Sequence, residues 1–258
     1  MLAYHGHDVV GIDIDEGAWL SPRVDDEMAD WLVTHNRGVV FSTSYKALRD
    51  RELILIFVST PFRNGRLDDS NVIDALAASA MENSDAEYSI LSTLPVGSMK
   101  VLRQHFPELK LSYSPPMIKK HRFLSTFVKP PSGWQLFTKG ASDDLRNLYA
   151  SMQPGVRQIV APDEVVEAAK LCTNMMLATK VIMANSIADW LGYETGKAVC
   201  EIVSADPRIG EGYFAPGGKA SGPCLPRDLL ELEEVTPEGH LKSIVQALNA
   251  VNRTEELV

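Results

Sequence analysis

The chain has 258 residues and a formal net charge of -9, with 45% hydrophobic and 23% charged residues. This composition excludes disordered, collagen-like and disulfide-scaffold classes, no run approaches the ~20 apolar residues of a membrane span, and a pI near 5.2 argues against nucleic acid as the main partner. Three cysteines at wide spacing make neither a disulfide framework nor a metal pair, and residues 1–10 carry no secretory pattern, so a cytoplasmic chain with reduced thiols is expected.

Residues Val9 to Asp15 (VVGIDID) form a short β-branched run closed by acids. They read as a buried parallel strand with an acid at its carboxyl end. Ahead of them LAYHGHD reads as the last turns of a helix, with Gly6 as its C-cap. A helix followed by a strand ending in Asp is the second half of a dinucleotide-binding βαβ unit, in which Asp13 would bond a ribose hydroxyl. The other reading of these residues is that Asp13 simply ends a strand. No G-x-G-x-x-G occurs; the glycine-rich turn that grips a pyrophosphate belongs about twenty residues upstream, before Met1.

Asp25 to Asn36 is amphipathic and reads as a helix. Leu53 to Val58 (LILIFV) is a buried strand, broken by Ser59-Thr60-Pro61 at the end where α/β sheets bind ligands. Ser70 to Ala80 is helical, with Asp68, Asp69 or Ser70 as N-cap. Tyr88 to Ser92 is a strand ended by Thr93-Leu94-Pro95-Val96-Gly97, and Leu111 to Tyr113 a strand ended by Ser114-Pro115-Pro116. This alternation predicts an open, mostly parallel sheet over the first ~155 residues. Pro154 and Gly155 mark a boundary, giving a domain over 1–155 and a helical domain over 156–258. From Asp163 to Val203 the pattern is helical, interrupted only by Gly192 and Gly196. Unbroken it would be ~60 Å long, which suits a spine and a dimer seam better than a small domain. Between Cys172 and Ala188 only Lys180 is charged, so that stretch is expected to be the most buried.

Two constellations could carry chemistry. Lys170 and Asn174 stand four apart, on one helix face, where an ammonium and an amide could stabilise an oxyanion or move a proton. A solvated lysine beside a polar contact is the plainer alternative. Gly222-Pro223-Cys224-Leu225-Pro226-Arg227-Asp228 follows a glycine-rich loop, Gly210 to Gly218. Arg227 is near enough to favour a thiolate, and Asp228 could orient a base or water; Cys224 is either a reactive thiol or a small buried residue. Cys172 and Cys200 lie in apolar helical contexts and read as structural.

The order VVGIDID, FVSTP, STLPVG, EAAKLCTNMMLATKVIMANSIADW and PGG...GPCLPRD resembles the UDP-glucose/GDP-mannose (nucleotide-sugar) dehydrogenase family. The resemblance implies a partial Rossmann-like parallel sheet followed by an all-α domain on a long spine helix. It implies NAD-dependent oxidation of a nucleotide-sugar C6 alcohol to a carboxylate, through a Cys thiohemiacetal and thioester. By motif position Cys224, Lys170, Asn174, Asp228 and Thr93 would be catalytic. Asp13, Ser59, Thr60, Pro61 and Thr93 would bind NAD, and no metal is implied. The partners implied are a UDP- or GDP-linked sugar and a second copy of the chain docked through the spine helix; no nucleic acid and no membrane are implied.

The sequence also departs from the family pattern. The glycine-rich NAD turn and the third domain are missing. Pro116 stands where the family commonly has a Glu, Lys219-Ala220-Ser221-Gly222-Pro223 precedes the Cys in place of Gly-Phe-Gly-Gly-Ser, and Arg227 replaces a Lys. Three functions are therefore open: a truncated dehydrogenase with impaired activity, an inactive dimeric binding or scaffold relative, and a β-hydroxyacid dehydrogenase-like enzyme. The last shares Lys-x-x-x-Asn but needs no Cys. Without a first strand the sheet is expected to have a gap near its middle that exposes unpaired backbone. The isolated chain should then unfold at low temperature or aggregate; a soluble monomer with a high, cooperative thermal midpoint would contradict this.

Overall fold

The apolar runs of the first half become short parallel strands separated by helices, and those of the second half become long helices. The computed structural model describes residues 2, 6–17, 39–119, 122–220 and 224–255. The helix expected over Asp25 to Asn36, the turns ahead of Gly6 and the Ser221 to Pro223 step lie outside them. Two units result, one of Met1–Ser59, Ser70–Thr93 and Gly97–Val166, the other of Thr60–Asp69, Leu94–Val96 and Glu167–Val258.

In the first unit β1 (Val9–Ile12) pairs in parallel with β2 (Val39–Ser42). Strand β3 (Leu53–Ile56) pairs in parallel with β6 (Glu87–Ile90), which pairs with β7 (Lys110–Tyr113). Strand β8 (Trp134–Thr138) pairs in parallel with β9 (Arg157–Ala161). The intervening helices are α1 (Ser70–Glu82), α2 (Ser98–His105), α3 (Phe123–Val128) and α4 (Asp143–Met152). The fold is thus α/β with parallel pairing, as expected. Among the described residues of this unit the ladders form three separate groups, with none joining β1 to β3. Arg51, just before β3, reaches Asp8, just before β1, by an ion pair of 2.5 Å. Side chains also join β7 to β8. The Tyr113 N–H donates to Thr138 Oγ1 at 2.9 Å, and Gln135 Nε2 donates to the Pro115 carbonyl at 3.2 Å.

Local chemistry fixes the helix starts. Ser142 caps α4 by accepting the Leu145 N–H at 3.0 Å, with Asp143 and Asp144 in the first turn where the helix dipole favours them. Glu87 holds the cap in place by accepting both the N–H and the hydroxyl of Ser142. Strand β9 and the first turn of the next helix belong to this unit, so it runs past Pro154 and Gly155 to Val166.

The second unit is built on α5 (Asp163–Leu191), 29 residues long, or ~44 Å. Gly192, at φ +82°, ends it, and α6 (Tyr193–Ser204) folds back along it. The helical pattern expected over Asp163 to Val203 is therefore two helices and not one spine of ~60 Å. The return is close: a Cβ on Gly196 would lie 2.4 Å from the Ala188 Cα, and Cys200 Sγ sits 4.0 Å from the Ala184 carbonyl. Helices α7 (Leu225–Val235) and α8 (His240–Glu255) complete the unit. Leu171, Ala178 and Ile182 of α5 pack with Leu229, Leu232, Val245 and Leu248. The hairpin of β4 (Phe62–Arg63) and β5 (Arg66–Leu67) adds Leu67 to that core. The stretch from Cys172 to Ala188 is buried on one face only; Met176 and Met183 remain 56% and 49% exposed on the other.

Gly196→Ala should lower stability by about 1–3 kcal/mol, because the added methyl meets backbone and not a flexible side-chain end. A thermal midpoint several degrees below wild type is expected by circular dichroism; an unchanged midpoint would mean that the two helices lie further apart.

Candidate active site

Lys170 and Asn174 lie one turn apart on α5, on one face. Opposite them, within the same unit, is the first turn of α7, with Cys224 at the N-cap and Pro226 in the first turn, where a missing N–H costs nothing. Asp228 is 0% exposed. Its Oδ2 accepts from Asn174 Nδ2 at 2.6 Å, and its Oδ1 accepts from Arg227 Nε at 2.9 Å and pairs with Arg227 Nη2 at 2.8 Å. These are charge-assisted bonds, roughly twice as strong as neutral ones. Arg227 Nη1 also donates to the carbonyl and, more weakly, the hydroxyl of Thr60, at 3.2 and 3.4 Å.

Lys170 completes the cluster. Burial lowers its pKa; the charges of Asp228 and Cys224 push it back up, and Arg227 pushes it down. Cys224 itself is exposed, so the alternative of a small buried residue falls away. Cys200 is buried and Cys172 half-buried, and burial raises both thiols. Tyr213, with left-handed backbone at φ +66°, lies within the field of Cys224. Burial, and then the Cys224 charge, raise its phenol.

The remaining candidates lie in the first unit, apart from Thr60 and Pro61. Asp13 follows β1 and is exposed; Ser59 follows β3 and is exposed; Thr93 follows β6 and is half-buried. All three stand at carboxyl ends of parallel strands, where α/β sheets bind ligands. The Asp13 Oδ1 accepts the Asp15 N–H at 3.0 Å. Buried Ser92 staples two of these ends together: its Oγ accepts the Val58 N–H at 2.8 Å and donates to the Val58 carbonyl at 2.7 Å. Asn71 Nδ2 fixes Ser59 through its carbonyl at 2.9 Å. Thr60 is 2% exposed and bonded to Arg227, so it anchors its loop and offers no free surface to a ligand. Pro116 is buried and puts no carboxylate at the end of β7. Among the described residues no group of three or more His, Cys, Asp or Glu could hold a metal.

Ser92, Asn71, Tyr213 and Glu231 were not singled out from the sequence. For Glu231 there was a signal: it lies three residues after Asp228, on the inward stripe with Leu229 and Leu232. It is 0% exposed, Oε2 accepts the Leu67 N–H at 2.5 Å, and Oε1 has no partner among the described residues. Burial raises its pKa; the Leu67 bond and Arg66 lower it, while Asp228 and Asp69 raise it further. A carboxyl raised in the folded state contributes stability that is present at low pH and lost as pH rises through its folded value. Glu231→Gln removes that loss and keeps an acceptor for Leu67. Its urea midpoint should therefore gain on wild type as pH rises above the ordinary glutamate range. A difference that does not change with pH above that range would show that burial does not raise Glu231.

Residues 164–254 match the central domain of the UDP-glucose/GDP-mannose dehydrogenase family. The chain is 26% identical over 276 residues to a UDP-glucose 6-dehydrogenase of Rickettsia bellii, covering 99% of this chain and 63% of that protein. It is 29% identical over 271 residues to a UDP-glucose 6-dehydrogenase of Streptococcus pneumoniae, covering 96% of this chain and 68% of that one. A solved UDP-glucose dehydrogenase of Pyrobaculum islandicum shares the fold at a TM-score of 0.79 and 23% identity, over 98% of this chain and 64% of its own. The match to the central domain covers the α5 face and the α7 turn just described, and the sheet unit ahead of them has the neighbours' α/β architecture: the chain is similar to the UDP-glucose/GDP-mannose dehydrogenase family, whose central domain it matches over residues 164–254.

Proposed function

We infer that the protein is an NAD-dependent nucleotide-sugar dehydrogenase that oxidises a C6 alcohol to a carboxylate. The observation that carries this is the exposed Cys224 at the head of α7, beside the Lys170, Asn174 and Asp228 cluster. The chain spans 63% of the length of its Rickettsia bellii relative, so the activity is proposed for the complete protein.

NAD fits the first unit on one observation: Asp13, Ser59 and Thr93 stand at carboxyl ends of parallel strands, with Asp13 exposed. Asp13 would hold a ribose hydroxyl, and Ser59 and Thr93 the nicotinamide end; Thr60 and Pro61 continue the chain from Ser59 as the same loop. When bound, NAD accepts the hydride removed at each of two oxidations. Lys170, its charge disfavoured by burial, takes the alcohol proton and then steadies the oxyanion with Asn174. The Cys224 sulfur adds to the aldehyde carbon and gives a thiohemiacetal; loss of its hydride leaves a thioester. Water attacks that carbonyl, the C–S bond breaks, and carboxylate and free thiol are released. Asp228, fully buried between Arg227 and Asn174, orients the amide.

A homodimer accompanies this reading. Helix α5 exposes Val165, Met176, Met183 and Trp190 at steps of seven or eleven, an apolar seam along one side. A cytoplasmic location accompanies the same reading. Buried Pro116, in place of a carboxylate, favours one second reading, an inactive relative that keeps the dimer.

Three measurements separate these. Calorimetry should show NAD binding, and Asp13→Ala should weaken it tenfold or more, since a charged hydrogen bond is worth about 1.5–3 kcal/mol. Iodoacetamide should alkylate Cys224 well ahead of Cys172 and Cys200, and Cys224→Ser should abolish carboxylate formation; a wild-type chain that binds NAD with an unreactive Cys224 favours the inactive relative. Light scattering should give about twice 28.4 kDa, and Met183→Glu should halve it.

A further inference from the structure

The arm from Thr60 to Asp69 consists of two strands of two residues each, joined by Asn64 and Gly65 at φ +52° and +80°. Such a hairpin is not stable alone. Three contacts within the helical unit dock it on α7. Arg227 binds Thr60 at its start, the Leu67 side chain enters the core beside Leu229 and Leu232, and Glu231 accepts the Leu67 N–H. That N–H points away from the hairpin, whose closing bond runs from the Asp68 N–H to the Pro61 carbonyl at 2.8 Å. Leu67 is 0% exposed, so without Glu231 its N–H would be a buried donor with no acceptor. A carboxyl at this depth, with one oxygen unbonded, is a costly group to place in an apolar stripe. An aliphatic residue would fill the space and leave the Leu67 N–H without an acceptor.

We propose that Glu231 is a positioning residue: its bond to Leu67 holds the Thr60–Asp69 arm on α7 and so fixes Thr60 and Pro61 in the cofactor loop. The part about the cofactor rests on the dehydrogenase reading; the docking of the arm does not. Arg227 fixes one end of the arm and Glu231 the other. The chain between them is Pro61 to Arg66, which includes the exposed arginines 63 and 66.

Both halves are testable in the full chain. Hydrogen exchange of the wild type should find the Leu67 amide protected at least a hundredfold; an unprotected amide overturns the proposal without any variant. Trypsin cleavage after Arg63 or Arg66, read by mass spectrometry, should speed up at least tenfold in Glu231→Ala and stay at the wild-type rate in Glu231→Gln, whose amide oxygen still accepts. In turnover assays Glu231→Ala should raise the KM for NAD about tenfold with kcat within twofold, and Glu231→Gln should restore it. Cleavage unchanged in the alanine variant, or no rescue by glutamine, overturns the proposal. Should the alanine variant not fold, wild-type exchange and the glutamine variant decide. Should the wild type bind no NAD, the dehydrogenase reading falls, while exchange and cleavage still decide the clamp.

Discussion

A carboxylate with no access to water organises the helical unit. Burying Asp228 costs several kcal/mol unless its charge is met, and it is met from two directions, by Asn174 on α5 and by Arg227 beside it on α7. Those bonds set the rotation of α5 and the start of α7 relative to each other, because neither helix can turn without leaving a buried polar group alone. Lys170, one turn from Asn174, is thereby brought into the field of Cys224. The Arg227 guanidinium has a planar fork of donors, and it uses the remaining ones on Thr60. A Lys there would be a single point charge; the Arg lets one residue tie the buried carboxylate to the arm.

The sheet unit is organised differently. Its strands carry few charged groups inward, and their carboxyl ends are aligned by small hydroxyls. Ser92 bridges the ends of β3 and β6 through both a donated and an accepted bond, and Ser89 and Ser114 meet at 2.6 Å behind them. Where the family commonly carries a carboxylate after β7, this chain has two buried prolines, Pro115 and Pro116. The acid chemistry of the chain is instead concentrated on α7, where Asp228 and Glu231 share one inward face. One is charged and fully met; the other is held towards its neutral form by burial and by the acids beside it.

The family resemblance, the α/β class and the placing of Lys170 and Asn174 on one helix face could be read from residue order alone. Motif spacing survives divergence to 26% identity, and helical periodicity is a local property that needs no partner. The expected continuity from Asp163 to Val203 did not hold, because periodicity does not record direction. Gly192 at positive φ reverses the chain, and only the fit of Gly196 against Ala188 shows why a residue without a side chain stands there.

What the sequence determined by itself is the set of parts: short apolar strands ending in polar turns, a long helix with Lys170 and Asn174 on one face, and a proline-flanked Cys224. Each follows from contacts within a few residues. The tertiary structure alone decided how the parts are used. Thr60 became an anchor, since Arg227, 167 residues away, takes its carbonyl. Asp228 was removed from solvent and Cys224 left in it, though only three residues separate them. Glu231 acquired its role from Leu67, 164 residues away. Burial and long-range hydrogen bonding depend on which surfaces meet, and no local pattern in the chain encodes that.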